Sequence, residues 1–560
     1  MTEHAAPASA RFGRDLIAGL TTAVLLVPQS MAYATLAGLP PVAGLYASTL
    51  PLFTYALFGR SPRLAVGPVA MDSLLTAATV GAIAEAGSND YIALAITLAL
   101  LVGLIQIALG LLRAGFLVNF LSRPVIVGFT SAAAVVIAAS QLGALAGLEL
   151  PRDASVFETL ASFAVRASET HVPTLLLSAA AIALLVVLKR VAPKVPRALI
   201  VVALSGGLAM GAGIATVGEV PAGLPPLSLP SIPAWSTVLA LLPGALAIAL
   251  IGFMEAVSVH AALGASGPTN AVPMNDGPMN ADRELTALGA ANVAASFVGA
   301  FPLAGGLSRS AVNHDAGSSS RWAGVFTGTA VVLTLLFFTG PLALIPKAAL
   351  SAIIVVAVLG LIDLREPKRL YRIKRSDLAM LALTFASTLA FGIRWGALIG
   401  VGLSLLALIH RATRPHSAVL GRLPGTEVYR NVERFPEAIT REDTLILRLD
   451  AEVFFGNVNF LHERMQSLEG SRPGLQRVVL DASGINQIDA AGERALRELY
   501  ERYEAKGICF VLAAVKGPVR DVLRRSGLMD EMGPSRFVLR THDALATPVP
   551  TNHTCPRPGE

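Results

Sequence analysis

Arg63-Leu-Ala-Val-Gly-Pro-Val-Ala-Met-Asp-Ser-Leu-Leu75 reads as a short extended stretch, a break at Gly67-Pro68 and then a helix. Phe301-Pro-Leu-Ala-Gly-Gly-Leu-Ser-Arg-Ser-Ala-Val-Asn313 has the same order: extended, a break at Gly305-Gly306, and a helix from about Ser308. Around both lie apolar runs near the ~20 residues that cross the hydrocarbon of a bilayer. These fall roughly at 16–36, 44–58, 91–112, 124–146, 173–189, 198–216, 238–263, 283–299, 321–340, 346–362, 377–392 and 395–411. With the broken segments, 63–86 and 301–316, there are fourteen, and the broken pair are the third and the tenth. That separation of seven is what a 7+7 inverted repeat produces, with half-helices meeting near the bilayer midplane. Irregular backbone at that depth is tolerated only when buried in protein or lining a cavity. A cavity is therefore expected between them.

Composition agrees. Of 560 residues 54% are hydrophobic and 15% charged, with a mean hydropathy of +0.63, where a soluble domain carries about 25% charge. The charges are unevenly spread. Residues 1–414 hold 25 Lys/Arg and 18 Asp/Glu, and residues 415–560 hold 19 and 20. Two solvents are implied: a polytopic α-helical membrane bundle followed by one soluble domain. Soluble enzymes, fibrous chains and disordered chains are excluded. The expected divisions are a cytoplasmic segment 1–14, a membrane domain 15–414, a soluble α/β domain 415–545 and a disordered Pro-rich tail 546–560. Cys509 and Cys555 are too few for a disulfide framework or a metal cluster. The first apolar run continues into membrane sequence without a small-residue cleavage site, so it reads as a retained helix.

With both termini cytoplasmic, the alternation of spans leaves 20 basic residues inside, including six between Arg365 and Arg375, against four outside: Arg152, Arg166, Lys347 and Arg394. The positive-inside rule thus explains the pI near 9.5 without nucleic acid as a partner. The run 365–375 reads as a topology signal, with an anionic-lipid patch as the other reading. Arg309 falls inside a membrane segment and needs a separate reason.

That reason is an anion. A half-helix N-terminus presents free N–H groups and about half a positive charge; two of them facing each other, with Arg309, form an anion site without metal or cofactor. Ser73, Ser308 and Ser310 offer further hydroxyl donors. Asp72, in the first turn of the third helix, suits the helix dipole but repels an anion unless it is protonated or paired with Arg309. It reads equally as an outward-facing cap. Glu255 lies mid-span in Gly-Phe-Met-Glu-Ala-Val-Ser-Val-His260. It is either a proton carrier, since protonation removes the cost of a charge in hydrocarbon, or a structural residue bonded to a half-helix terminus. His260, Asp282, Glu284, His314 and Asp315 read as structural groups, caps or interface contacts.

Longer stretches carry a resemblance. Pro28-Gln-Ser-Met-Ala-Tyr-Ala-Thr-Leu-Ala-Gly-Leu-Pro-Pro-Val-Ala-Gly-Leu-Tyr46, Phe58-Gly-Arg-Ser61, Gly67-Pro-Val-Ala70, Leu121-Ser-Arg-Pro-Val-Ile-Val-Gly-Phe-Thr130, Glu284-Leu-Thr-Ala-Leu-Gly-Ala-Ala-Asn292 and Ser308-Arg-Ser-Ala-Val-Asn313 resemble, in this order, the sulfate permease (SulP) family of anion transporters. The resemblance implies fourteen spans divided into core (1–4 and 8–11) and gate (5–7 and 12–14), a C-terminal STAS domain, and homodimers. Family substrates include sulfate, bicarbonate, chloride, oxalate and C4-dicarboxylates. Carried over, the substrate site involves Gln29 and Tyr33, the helix start Ala70, Met71, Asp72 and Ser73, and Ser308 with Arg309. The position that couples transport to a cation matches Glu255. Sodium-coupled relatives resemble an Asp followed four residues on by Thr; here the pair is Glu255 and Val259, which lacks the second oxygen.

In the soluble part, 444–450, 477–481 and 508–515 read as strands, and 492–506 and 517–527 as helices, giving a small α/β sandwich. Val478-Val-Leu-Asp-Ala-Ser-Gly-Ile-Asn-Gln-Ile-Asp-Ala-Ala-Gly492 resembles the STAS loop, with Ala490 and Ala491 where bacterial anti-sigma antagonists usually include a phosphorylatable Ser or Thr. A folding, dimer-supporting or docking role follows from that resemblance. There is no G-x-x-x-x-G-K-[ST] motif, so ATP-driven transport by this chain is not expected. The expectation is a sulfate or other inorganic oxyanion transporter of the inner membrane, proton-coupled and elevator-like. Alternatives are bicarbonate or C4-dicarboxylate transport, anion exchange, a passive channel, or a STAS-linked anion receptor.

Overall fold

A computed structural model describes residues 8–59, 61, 64–116, 122–150, 155–192, 195–209, 213–265 and 280–546. The chain divides into two compact units, Met1–Ser404 and Leu405–Glu560. The first begins with α1 (Ala8–Leu36), α2 (Pro41–Tyr46), α3 (Leu50–Phe58), β1 (Val66–Gly67), α4 (Ala70–Val80), α5 (Asn89–Leu111), α6 (Arg123–Ser140), α7 (Leu142–Ala146), α8 (Val156–Val165), α9 (Val172–Val191) and α10 (Arg197–Ala209). It continues with α11 (Trp235–Ala265), α12 (Ala281–Phe297), β2 (Ala304–Gly305), α13 (Leu307–Asp315), α14 (Trp322–Phe337), α15 (Thr339–Ala343), α16 (Lys347–Leu359), α17 (Arg365–Ile373) and α18 (Arg375–Thr413), whose last turns belong to the second unit.

Among the described residues each of the fourteen expected segments carries a helix. Seven helical stretches among the described residues are long and apolar enough to cross a membrane, and six shorter apolar helices accompany them. The last two expected spans run on as one element, broken only where Gly392 adopts φ 79°, a left-handed conformation that glycine takes at little cost. The basic run 365–375, read from sequence as a topology signal, is helical over α17. Glu366 of α17 is buried and pairs with Arg123 of α6 at 3.7 Å and with Arg369 at 3.4 Å. Without the hydrophobic effect between helices in lipid, close packing carries association. Gly103 of α5 and Gly289 of α12 show it reciprocally: a Cβ on either would lie 2.7 Å from the other's carbonyl oxygen. Asp282 and Glu284, read from sequence as caps or interface contacts, both bond across helices: Asp282 accepts from the Gly115 N–H at 2.8 Å, and Tyr55 donates to Glu284 at 2.5 Å.

The second unit holds β3 (Ser417–Arg422), β4 (Tyr429–Asn431), β5 (Thr444–Leu449), α19 (Val458–Gly470), β6 (Arg477–Asp481), α20 (Ala490–Ala505), β7 (Cys509–Ala513), α21 (Gly517–Arg525), α22 (Leu528–Met532), β8 (Phe537–Val538) and α23 (Asp543–Ala546). Its sheet runs β4-β3-β5-β6-β7-β8, parallel from β5 onward and antiparallel at the β3 edge. One face buries Leu445, Leu447, Leu480 and Phe510 with Leu461, Leu496 and Leu523 of the helices, and the other a smaller cluster closed by Ala544. The tail expected at 546–560 lies, beyond Ala546, outside the described residues.

Candidate functional site

The two broken segments meet. β1 and β2 pair antiparallel, Val66 opposite Gly305 and Gly67 opposite Ala304, and the Gly306 N–H donates to the Ala65 carbonyl at 3.2 Å. Two-residue strands thus satisfy each other's backbone where neither could continue as helix. From this ladder α4 starts at Ala70 and α13 at Leu307. The residues ahead of them, Val69 and Gly306, are extended and supply no side-chain acceptor, so the first-turn N–H groups of both helices are not capped by side chains.

Arg309 is the third residue of α13 and 1% exposed. Its Nη1 donates to the Pro68 carbonyl at 2.5 Å. The guanidinium lies over the break in both arms: a Cβ on Gly306 would sit 2.9 Å, and one on Gly67 3.3 Å, from Nη2. Gly67 also has φ 152°, so a side chain there would be strained as well as crowded. Arg309 Nε and Nη2 are buried with no hydrogen-bond partner. A cation in the first turn of its own helix adds to the positive end of the dipole rather than offsetting it. Two unused donors pointing from such a place are suited to an oxyanion.

Around it stand the other residues singled out in the sequence. Gln29 and Tyr33 follow Pro28, a proline inside α1, and are both 6% exposed. Tyr33 lies in electrostatic reach of Arg309 and Glu255, and Gln29 Oε1 has no partner. Glu255 of α11 is half-buried with its Oε2 sealed and unpartnered, within electrostatic reach of Arg309. Ala70, Met71, Asp72 and Ser73 form the buried first turn of α4. Asp72 neither caps the helix nor pairs with Arg309: both its oxygens are unpartnered. The serines divide. Ser73 donates back to the Val69 carbonyl at 2.7 Å, and Ser310 accepts from the Ala65 N–H at 2.9 Å, so both tie down backbone at the ladder. Ser308 is exposed, apart from the buried group.

One buried network had gone unassigned. Asn292 of α12 donates to Gln106 Oε1 and to the Leu303 carbonyl, both at 3.0 Å, and accepts from the Leu303 N–H at 2.9 Å. Gln106 of α5 donates on to the Ala249 carbonyl of α11 at 3.2 Å. This holds the residue just before β2 and so aims the arm that carries Arg309. The available signal was a pair of amides inside apolar spans, where an unsatisfied polar group is costly.

Residues 12–384 match the Sulfate permease family, and 435–544 match the STAS domain. This chain belongs to the sulfate permease family. It is 38% identical over 555 residues to the chloroplastic sulfate transporter 4.1 of Arabidopsis thaliana, covering 95% of this chain and 80% of that one. It is 37% identical over 537 residues to a probable sulfate transporter of Mycobacterium tuberculosis strain CDC 1551, covering 95% and 94%. Its fold resembles the murine Slc26a9 anion transporter in the inward-facing state, with TM-score 0.86, 24% identity and coverage of 95% and 90%. The transmembrane domain of the cyanobacterial bicarbonate transporter BicA superposes with TM-score 0.60 and 24% identity, covering 70% and 97%. The protein is thus a multi-pass membrane protein of an anion-transporter family with a STAS domain.

Within this sulfate permease member, Val259 lies one turn beyond Glu255, is 1% exposed and has no oxygen to offer a cation. In the STAS unit Asp489 is the N-cap of α20, accepting from the Gly492 N–H at 2.8 Å and, through Oδ2, from the Phe455 N–H at 2.9 Å. The aspartate closes a turn. The two alanines after it begin the helix.

Proposed function

We propose that this chain is a secondary active transporter moving sulfate, or another inorganic oxyanion, across the cytoplasmic membrane in step with protons. The observation that carries the reading is Arg309, buried at the junction of two uncapped half-helix N-termini with two donors unused. A sulfate transporter 38% identical and a probable sulfate transporter 37% identical support sulfate as the substrate. An anion moving toward a negative interior must bring compensating positive charge or exchange for another anion, at roughly 2.3 kcal/mol per elementary charge per 100 mV. Glu255 serves as a proton carrier in this reading, and the missing oxygen at Val259 disfavours sodium. α1, α4, α11 and α13 fall in the segments assigned by resemblance to a core, so binding residues and proton carrier travel together against a gate in an elevator-like step. The 7+7 inverted repeat, the homodimer, the cytoplasmic termini, and the division into 1–14, 15–414, 415–545 and 546–560 belong to the same proposal. The STAS domain then supports folding, dimerisation or docking, because Ala490 and Ala491 cannot be phosphorylated.

The test is uptake of labelled sulfate into proteoliposomes, with and without an inward proton gradient, in competition with bicarbonate, succinate and chloride. Acid-stimulated uphill accumulation, indifferent to sodium, is expected. Glu255→Gln should keep exchange with reduced acid stimulation. Flux that never exceeds equilibrium would establish a channel instead, and preferential competition by bicarbonate or succinate would reassign the substrate.

A further inference from the structure

Asp72 is a fully buried carboxylate, 0% exposed, with neither oxygen bonded. Leaving both acceptors of an ionised carboxylate unmade in an apolar interior is so costly that such a group takes up a proton instead. Its surroundings say where it points. A Cβ on Gly252 of α11 would lie 3.0 Å from Asp72 Oδ2, and Glu255 is one turn further along the same helix face. The two carboxyls are within electrostatic reach of each other. Glu255 Oε2 and Gln29 Oε1 are also sealed and unpartnered. Four acceptor oxygens from α1, α4 and α11 are thus sealed from water with no hydrogen-bond donor. The remaining titratable groups facing this group are Tyr33 of α1 and Arg309 of α13, with His260 five residues beyond Glu255 on α11. α5 and α6, also packed on α4, carry ionisable residues only at their starts: Asp90, Tyr91 and Arg123.

We propose that Asp72 and Glu255 form a two-carboxyl proton site beside the half-helix junction, so that two protons enter with each sulfate. The inference rests on the proton-coupled sulfate reading and adds its stoichiometry and its second carrier. The charge balance favours it. With both carboxyls ionised, Arg309 and a sulfate dianion leave the moving core with three net negative charges; two protons reduce that to one. Because the sulfate and the two protons cancel, the cargo itself moves no charge. Each carboxylate takes one proton from the water on the side where sulfate enters and returns it on the other side.

The experiment holds proteoliposomes of the full chain at zero voltage under a fixed pH gradient and reads the final sulfate accumulation. Two coupled protons give about 100-fold accumulation per pH unit and one gives about 10-fold, since each proton contributes a factor of ten per unit. The wild type is expected near 100-fold and Asp72→Asn near 10-fold. An unchanged ratio in Asp72→Asn, or a wild type near 10-fold, overturns the two-carboxyl site while leaving proton coupling intact. A wild type that takes up sulfate without accumulating it on a pH gradient overturns the proton-coupled reading itself. Accumulation that follows sodium instead makes the same oxygens a metal-cation site and also overturns the proposal. If Asp72→Asn does not fold, the wild-type ratio alone decides.

Discussion

The arms of α4 and α13 begin alike and end opposed. Each leaves the two-strand ladder through an uncapped extended residue, and in each the third helical residue is charged and the fourth is serine: Asp72 and Ser73 in α4, Arg309 and Ser310 in α13. The aspartate sits where a helix dipole welcomes negative charge, the arginine where it resists positive charge. The arginine crosses to the other arm and binds Pro68, whereas the aspartate turns to α11. One architectural position therefore holds opposite charges, which the proposals read as a fixed cation for the anion and a titratable acid for its counter-charge. The lesson is that matching backbone does not imply matching role.

The largest break in this comparison is expected at Arg309. Arg309→Ala should weaken sulfate binding by about 3 kcal/mol, roughly 100-fold, as two charge-assisted donors are lost, while the protein stays folded. Lysine should restore only part, because a point charge lacks the planar fork. Calorimetric titration of purified protein checks both, and wild-type affinity in Arg309→Ala would remove it from the site. Next comes the amide network that holds the β2 arm. Asn292→Leu strands the Leu303 N–H and carbonyl and should cost about 2 kcal/mol, read as a lowered unfolding midpoint in detergent; an unchanged midpoint would show that the arm holds itself. Smallest is the contrast of the serines. Ser310→Ala leaves the Ala65 N–H without its acceptor and should cost about 1 kcal/mol, whereas Ser73→Ala removes only a bond back to its own helix and should change stability by a few tenths of a kcal/mol. Equal effects would mean that Ser310 is no more of a tie than Ser73.

Much of this was readable before any coordinates. Gly67-Pro68 and Gly305-Gly306 announce breaks because their backbone chemistry is local, and apolar runs announce spans because hydrocarbon demands length. In the soluble unit β5, β6, β7, α20 and α21 follow from branched apolar runs and amphipathic spacing. The short edge elements β4 and β8 do not, since two or three residues carry no period. Nor was it legible that Ser73 and Ser310 spend their hydroxyls on backbone, that Asp72 faces Gly252 rather than Arg309, or that Asn292 and Gln106 share bonds. Each depends on which of several faces a helix turns to a distant neighbour. That is fixed by three-dimensional packing and has no local signature.

The reciprocal approach of Gly103 and Gly289 makes α5 and α12 a single spar. Neither helix can slide or roll against the other without driving backbone into backbone. Whatever rearrangement accompanies turnover must bypass this crossing, so spin labels bridging α5 and α12 should report one unvarying distance whether or not sulfate is present. Tolerance to substitution at these two positions is set by volume, because a Cβ on either would meet the backbone of the other helix.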